Sequence, residues 1–317
     1  MSTLATSKDS LQQPNDESSS LPWPRIAFVT PIFNCVDYIE QTIQSVLAQN
    51  YPNLDYFIVD GGSTDGTLDI LRKYESQISG WISEPDHGMY DAINKGYART
   101  SGELMGWISG TDMLHPGALR MVATIFRGFP DVEWISGRPN IYNEAGMTVK
   151  VSPIPRWSRY RFLAGANRWI QQEGTFWRRS LWDKAGGYVD ASRRLASDFE
   201  LWVRFFRHAQ LYSVDGLTGG YRSHWDALGS TLSHECLCIQ KEMIEAEIAR
   251  TPEYKSLHTM RRITRALQHI PKVRGLWNIL VTKGLPWLLY RLPGSDLPPI
   301  IECDVWQHPQ KWIFRKK

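Results

Sequence analysis

The run Phe57-Ile58-Val59-Asp60-Gly61-Gly62-Ser63-Thr64-Asp65-Gly66-Thr67 constrains the fold more than any other stretch, because an apolar segment stops abruptly in a turn of small and acidic residues. Three consecutive β-formers without alternating polarity describe a strand covered on both faces. The paired glycines allow positive φ or close approach of a ligand, and ligands of open α/β sheets sit beyond such carboxyl ends. Asp60 and Asp65 could equally serve only to cap turns and start the next helix. A second junction, Leu104-Met105-Gly106-Trp107-Ile108-Ser109-Gly110-Thr111-Asp112, again ends an apolar run in small residues and one Asp. Two carboxylate-bearing strand ends point to one shared site.

Around these junctions strand and helix alternate. Arg25 to Pro31 is a first strand expected to stop at Pro31, which cannot donate to a ladder. Asp37 with Glu40 has capping-box spacing ahead of a helix whose apolar face is Ile39, Ile43, Val46 and Leu47. A strand to Asp60 then completes a βαβ unit, and a helix over 68–78 and a strand at Trp81-Ile82-Ser83 follow. The loop from Glu84 runs into a helix, where His87 and Lys95 either reach a phosphate at the helix start or are ordinary solvated side chains. Pro116 suits the first turn of a helix carrying Leu119, Val122 and Phe126.

After Asp131 the pattern changes. Val132 to Ile135 has the character of one more strand, and 152–169 interleaves Arg156, Trp157, Arg159, Arg161, Arg168 and Trp169 with little periodicity. Such a segment either stacks on and clamps an anionic or sugar ligand or is a solvated loop. Gln171 to Trp177 leads to a short helix and the turn Gly186-Gly187. Ser197 and Glu200 form a second capping box, which leaves Asp198 unexplained at the first helical position, where the helix dipole would lower its basicity. Leu211 to Val214 and Gly219 to Arg222 are expected strands, and helices are expected over 239–250 and 255–269.

With 36 basic against 33 acidic residues and a net charge of +3, the chain offers no case for nucleic acid as a partner. Cys35, Cys236, Cys238 and Cys303 make no CxxC pair, which fits a reducing cytoplasm. His234, Cys236 and Cys238 alternate within a helical stretch and so cannot share one face as metal ligands. Residues 1–24 are polar, without an apolar core, and are expected to be a disordered leader. The 272–291 stretch is basic and Trp-bearing. Lys283, Gly284 and Pro286 interrupt any span of about 20 apolar residues, so no transmembrane helix is expected there; an interfacial helix or one packed on the core are the two readings.

Taken in order, Val29-Thr30-Pro31-Ile32-Phe33-Asn34, Val59-Asp60-Gly61-Gly62-Ser63-Thr64-Asp65-Gly66-Thr67, Gly110-Thr111-Asp112 and Ser197-Asp198-Phe199-Glu200-Leu201-Trp202 resemble the family 2 glycosyltransferases of GT-A fold. The resemblance covers about Ile26 to Arg222. It implies a mixed, mainly parallel α/β sheet flanked by helices, here with a helical C-terminal extension, and divides the chain into 25–230 (nucleotide half 25–130, acceptor half 131–230) and 231–317. It also implies transfer of a sugar from a nucleoside diphosphate, usually UDP, to an acceptor hydroxyl with inversion. Carried over by position, Thr30, Pro31 and Phe33 would lie against the nucleoside, and Asp60 and Gly61 stand where the family commonly has two acidic residues. The residue missing at 61 is the carboxylate that often hydrogen-bonds the base. Asp112 would bind a divalent metal, Mn2+ or Mg2+, and Asp198 would be the catalytic base. Asp86, Lys95 and Thr111 complete the expected nucleotide-sugar site, and Arg168, Glu173 and Trp177 are expected at the acceptor.

The implied acceptor is a saccharide or lipid-linked saccharide of a bacterial surface polymer, with the enzyme in the cytoplasm and contact with the inner membrane face through the C-terminal stretch. A dinucleotide-binding oxidoreductase fits poorly, since no strand feeds a G-x-G-x-x-G turn, and no G-x-x-x-x-G-K-[ST] motif occurs. The rival from another class is a non-catalytic carbohydrate-binding or scaffold protein on a transferase fold, which turnover of a sugar nucleotide would separate from the enzyme.

Overall fold

The computed structural model describes residues 22–164, 169–224, 233–251, 297–303 and 314–316. The expected leader up to residue 21, the helix over 255–269, the 272–291 stretch and Arg168 lie outside them. The chain opens with β1 (Ile26–Ile32), α1 (Ile39–Leu47) and β2 (Leu54–Asp60), then α2 (Thr67–Tyr74), β3 (Gly80–Ser83), α3 (Met89–Tyr97), β4 (Leu104–Trp107), β5 (Met113–Leu114) and α4 (Ala118–Gly128). β1 is parallel to β2, with Ile26 opposite Leu54 and Ile32 opposite Asp60, and parallel to β4 on its other side. The ends of these strands therefore lie together at one edge of the sheet, the place expected for a ligand.

The second half contributes β6 (Trp134–Ser136), β7 (Asn140–Tyr142), β8 (Thr148–Val151), α5 (Arg159–Ala164), β9 (Thr175–Arg178), α6 (Arg179–Lys184), α7 (Ser197–Phe205), β10 (Leu211–Asp215), β11 (Gly219–Arg222), α8 (Ser233–Arg250), β12 (Ile301–Cys303) and β13 (Phe314–Lys316). The main sheet has the order β13-β12-β10-β6-β9-β4-β1-β2-β3. β9 is its antiparallel inner member, wedged between β4 and β6. A second sheet, β5-β11-β7-β8, stands beside it. The fold is thus the mixed, mainly parallel α/β architecture that the strand pattern and the family resemblance both imply.

Both faces of the main sheet are closed. Along β1, Ile26 and Phe28 face one apolar layer with Ile39, Ile43, Leu119 and Val122, while Ala27 and Val29 face another with Ile93, Trp107, Trp177 and Trp202. In the second layer Trp107 and Trp202 stack at 5.7 Å between ring centres, and Trp177 meets Trp107 edge-on at 5.1 Å. Removing such a ring from a closed core costs about 3–5 kcal/mol. Trp177, fully buried, is a core residue with no surface for an acceptor.

Several local expectations give way to tertiary context. β1 runs through Pro31 to Ile32, because the carbonyl of Pro31 accepts from Gly110 N at 3.2 Å on the side where β4 has already ended, so the missing N–H costs no ladder bond. Neither capping box forms. α1 starts after Tyr38 without a side-chain cap, and Glu40 instead meets Lys73 and the Tyr74 hydroxyl, the latter at 2.8 Å. α7 starts after Ala196 at φ 62°; Ser197 Oγ donates to the Asp190 carbonyl at 2.7 Å, and Arg204 Nε donates to both oxygens of Glu200 at 2.9 Å. Within the interleaved segment, Trp157, Tyr160 and Phe162 join the core and Arg159 pairs with Glu247 of α8 at 2.9 Å. Burial explains those side chains better than ligand clamping.

The described parts of 231–317 are integral to this body. Ile244 and Ile248 of α8 are buried in the Trp-rich layer, and β12 extends the main sheet beside β10. Among the described residues no helix is long and apolar enough to cross a membrane.

Candidate active site

The floor of the site is two loops stitched together. Asn34 N donates to Ser63 Oγ at 2.7 Å, Thr64 N to Asn34 Oδ1 at 2.9 Å, Cys35 N to Thr67 Oγ1 at 3.1 Å and Val36 N to Asp65 Oδ2 at 3.0 Å. Asp60 governs the second loop from below. Fully buried, its carboxylate accepts Gly62 N at 3.0 Å, Ser63 N at 2.9 Å, Ser83 Oγ at 2.6 Å and also Ser63 Oγ. Three of these donors meet Oδ2 and one meets Oδ1, so Asp60 shapes the loop from inside the fold, where it is fully buried.

The first-loop residues divide in the same way. Thr30 is buried with its hydroxyl 3.0 Å from the Tyr56 hydroxyl, and Pro31 is inside β1, whereas Phe33 is 62% exposed at the strand's mouth. Lys95 does not face an open phosphate site. Its Nζ meets Glu84 at 2.9 Å, Asp91 at 3.3 Å and the Pro85 carbonyl at 3.2 Å, which ties α3 to the loop before it. His87 is exposed, with its backbone N–H on Asp91 at 3.1 Å.

Beyond β4, Asp112 and Glu173 from distant parts of the chain come together, and Asp198 lies within electrostatic reach of Glu173. Thr42 Oγ1 donates to the carbonyls of Gly110 at 2.9 Å and Asp112 at 2.7 Å, which fixes the turn that carries Thr111 and Asp112. Arg222 N donates to Asp112 Oδ1 at 2.7 Å, and Arg222 Nε to the Thr111 carbonyl at 2.6 Å. Glu173, in the 3-10 turn Gln172–Gly174, hydrogen-bonds the Asp112 side chain. Asp112 and Glu173 are only 1% and 4% exposed, so two carboxyl groups lie side by side out of water.

Burial first, and then the Glu173 charge, pushes Asp112 well above the usual carboxylate range. Burial likewise raises Glu173, to which Asp198 adds its field. Asp198, half-buried at the second residue of α7, is also raised by burial, opposed by its hydrogen bonds with Phe199 N and Tyr90. The Tyr90 hydroxyl donates to Asp198 Oδ1 at 3.2 Å. Burial thus outweighs these hydrogen bonds, and Asp198 is a stronger base than an exposed carboxylate.

The structure therefore brings Asp112, Thr111, Glu173 and Asp198 together and leaves Thr30, Pro31, Asp60, Lys95 and Trp177 as supports behind the site. Tyr90 and Arg222 were not legible as site residues. Tyr90 carries no motif, and Arg222 ends an ordinary-looking strand, so only the fold brings each to a carboxylate.

These carboxyls also suit a divalent cation. Buried, hard-oxygen ligands side by side, Asp112 and Glu173 form a pair whose negative charge a divalent cation would neutralise. Among the described residues no three His, Cys, Asp or Glu side chains converge as a ready metal cage, so an ion there would draw further oxygens from phosphate and water.

A family model described as Glycosyl transferase family 2 matches residues 27–182. An uncharacterized glycosyltransferase of Mycobacterium tuberculosis, Rv1514c, is 32% identical over 185 residues, spanning 57% of this chain and 68% of that one. Among solved structures, Staphylococcus aureus TarS 1–349 in complex with UDP-GlcNAc is similar with a TM-score of 0.57 at 16% identity, covering 85% of this chain and 81% of that one. The mannosyltransferase PcManGT of Pyrobaculum calidifontis in complex with GDP-Man and Mn2+ gives a TM-score of 0.51 at 14% identity, covering 85% and 92%.

Proposed function

Because the chain belongs to glycosyltransferase family 2, we propose that it moves a sugar from a UDP-linked donor to an acceptor hydroxyl with inversion at the anomeric carbon. The observation that carries this reading is Glu173, buried beside Asp112 and within the field of Asp198, which the Tyr90 hydroxyl meets at 3.2 Å. A sugar hydroxyl is a poor nucleophile and needs a base as it attacks. The acceptor proton passes to the Asp198 carboxylate, the acceptor oxygen bonds the anomeric carbon, and the bond from that carbon to the diphosphate oxygen breaks. One such displacement inverts the carbon.

Asp112, with Glu173 beside it, would hold a divalent ion, Mn2+ or Mg2+, which supplies electrostatic stabilisation to the leaving diphosphate. TarS with UDP-GlcNAc supports a uridine donor as the first to test, and PcManGT with GDP-Man and Mn2+ supports including a guanosine donor and the metal. The acceptor class we infer is a saccharide or lipid-linked saccharide of a surface polymer, in line with the family resemblance and the need for a hydroxyl nucleophile. The test is release of free nucleotide from a panel of UDP-, GDP- and dTDP-sugars with simple glycoside acceptors, and the product anomer read by NMR. Turnover of none, with the protein folded, would favour the non-catalytic scaffold.

Tyr90 gives this mechanism a pH signature. Its hydroxyl donates to Asp198 and so stabilises the ionised base. In Tyr90→Phe the Asp198 pKa rises further. A base works only when deprotonated, so activity falls as pH drops through that pKa, and the acid limb of the kcat/KM profile moves to higher pH in the variant. An unmoved limb with a lowered plateau would show that Tyr90 acts only in packing.

A further inference from the structure

Gly61 is held between the ends of β1 and β2 by its N–H on the Ile32 carbonyl at 2.9 Å. A Cβ built at this glycine would lie 2.8 Å from Asp86 Oδ2, closer than real Cβ atoms come to other groups, and a tight 3.1 Å from Asp86 Cγ. The carboxylate of Asp86 therefore fills the volume that a side chain at position 61 would enter. Its loop is braced at several points. Glu84 N donates to the Asp60 carbonyl at 3.0 Å, Lys95 holds Pro85 and Glu84, and Gly88 N donates to Asp86 Oδ1 at 2.8 Å. Among the described residues no protein donor reaches Asp86 Oδ2, the oxygen turned toward Gly61.

Asp86 is half-buried against Gly61 at the end of β2. Phe33 stands directly beyond Ile32, the register partner of Asp60, and so beside Gly61, with its ring 62% exposed. An exposed aromatic face and a fixed carboxylate acceptor at one mouth suit a planar heterocycle that presents a ring N–H.

Resting on the transferase reading above, we propose that Asp86 is the specificity carboxylate for the nucleotide base, supplied from the β3–α3 loop because position 61 is glycine, and that it selects bases with a ring N–H, uracil, thymine or guanine, over cytosine and adenine. A carboxylate accepts the uracil N3–H, whereas cytosine N3 is itself an acceptor and faces it with repulsion.

Calorimetric titration of the full chain with UDP and with CDP, both with Mn2+, tests this. Wild type should prefer UDP. Asp86→Ala should lose about 10- to 100-fold in UDP affinity and most of the preference over CDP. Asp86→Asn, whose amide can donate to cytosine N3, should move the preference toward CDP. Gly61→Asp alone should weaken binding by crowding two carboxylates, and Gly61→Asp with Asp86→Gly should recover the UDP preference. If wild type binds UDP and Asp86→Ala binds it equally with an unchanged preference over CDP, the assignment is overturned while the transferase reading stands. If wild type binds no nucleotide, the transferase reading itself fails. A melting temperature near wild type in Asp86→Asn separates lost recognition from lost folding, and an unchanged base preference in that folded variant also overturns the assignment.

Discussion

Asp198→Asn should lower kcat by about a hundred- to ten-thousandfold while leaving the affinity for nucleotide unchanged. The range is what a positioned general base contributes to proton transfer, and the substitution keeps the shape of the side chain while removing its basicity. The Tyr90 hydroxyl that donates to Asp198 Oδ1 at 3.2 Å can donate equally to an amide oxygen, so the local structure should persist. Burial raises the folded pKa of Asp198 above its unfolded value. The stability contributed by this group is complete below the unfolded pKa and is lost as pH rises through the folded one. The neutral amide avoids that loss, so the variant should melt at or above the wild-type temperature at neutral pH. Steady-state kinetics beside a thermal melt checks both halves. Turnover within tenfold of wild type would mean that another group takes the proton.

The second large effect sets function against stability at one residue. Asp112→Asn should lose about a hundredfold or more in turnover, the scale of an interaction aimed at a developing charge, and should become more stable than wild type in the absence of divalent ions. Asp112 and Glu173 are both raised, by burial first, and each disfavours its ionised form. In wild type that arrangement stabilises the fold at acid pH and is lost as pH climbs through the raised pKa values. In the variant one member stays neutral, and its amide oxygen can still accept the Arg222 N–H that sits 2.7 Å from Asp112 Oδ1. The gain in stability should therefore be small at acid pH and grow as pH rises through the raised pKa values, on the order of 1 kcal/mol, read as melting temperature across a pH series. A gain that does not depend on pH would show that the carboxylate pair is not the cause.

How far the sequence carried depends on how local each signal was. The apolar runs ending at Asp60 and Trp107 are strands because nothing polar interrupts them, and β1, β2 and β4 pair as those runs imply. β9 was not placed, since its antiparallel wedge between β4 and β6 joins segments far apart in the chain. The two- to four-residue strands of the second sheet are too short to leave a periodic trace. Spacing alone misled at Ser197 and Glu200, where Asp190 and Arg204 are better partners than the helix N-terminus.

At the site, the two strand-end aspartates look alike in sequence and do different work. Asp60 ties its own loop to the end of β3, and Asp112 is one of a buried pair. Trp177 and Phe176 point to opposite layers of the same strand, which a Trp in an irregular-looking stretch does not disclose. Asp198 was legible only through the family resemblance, because its partner Tyr90 lies 108 residues away.

A sugar-nucleotide site at the ends of β1, β2 and β4 is tested most directly by calorimetric titration of the wild-type chain with UDP, GDP and dTDP, with and without Mn2+. Metal-dependent binding of at least one of the three, UDP first, is the expected result. Binding of none, with or without the ion, by a protein that melts cooperatively, would contradict it.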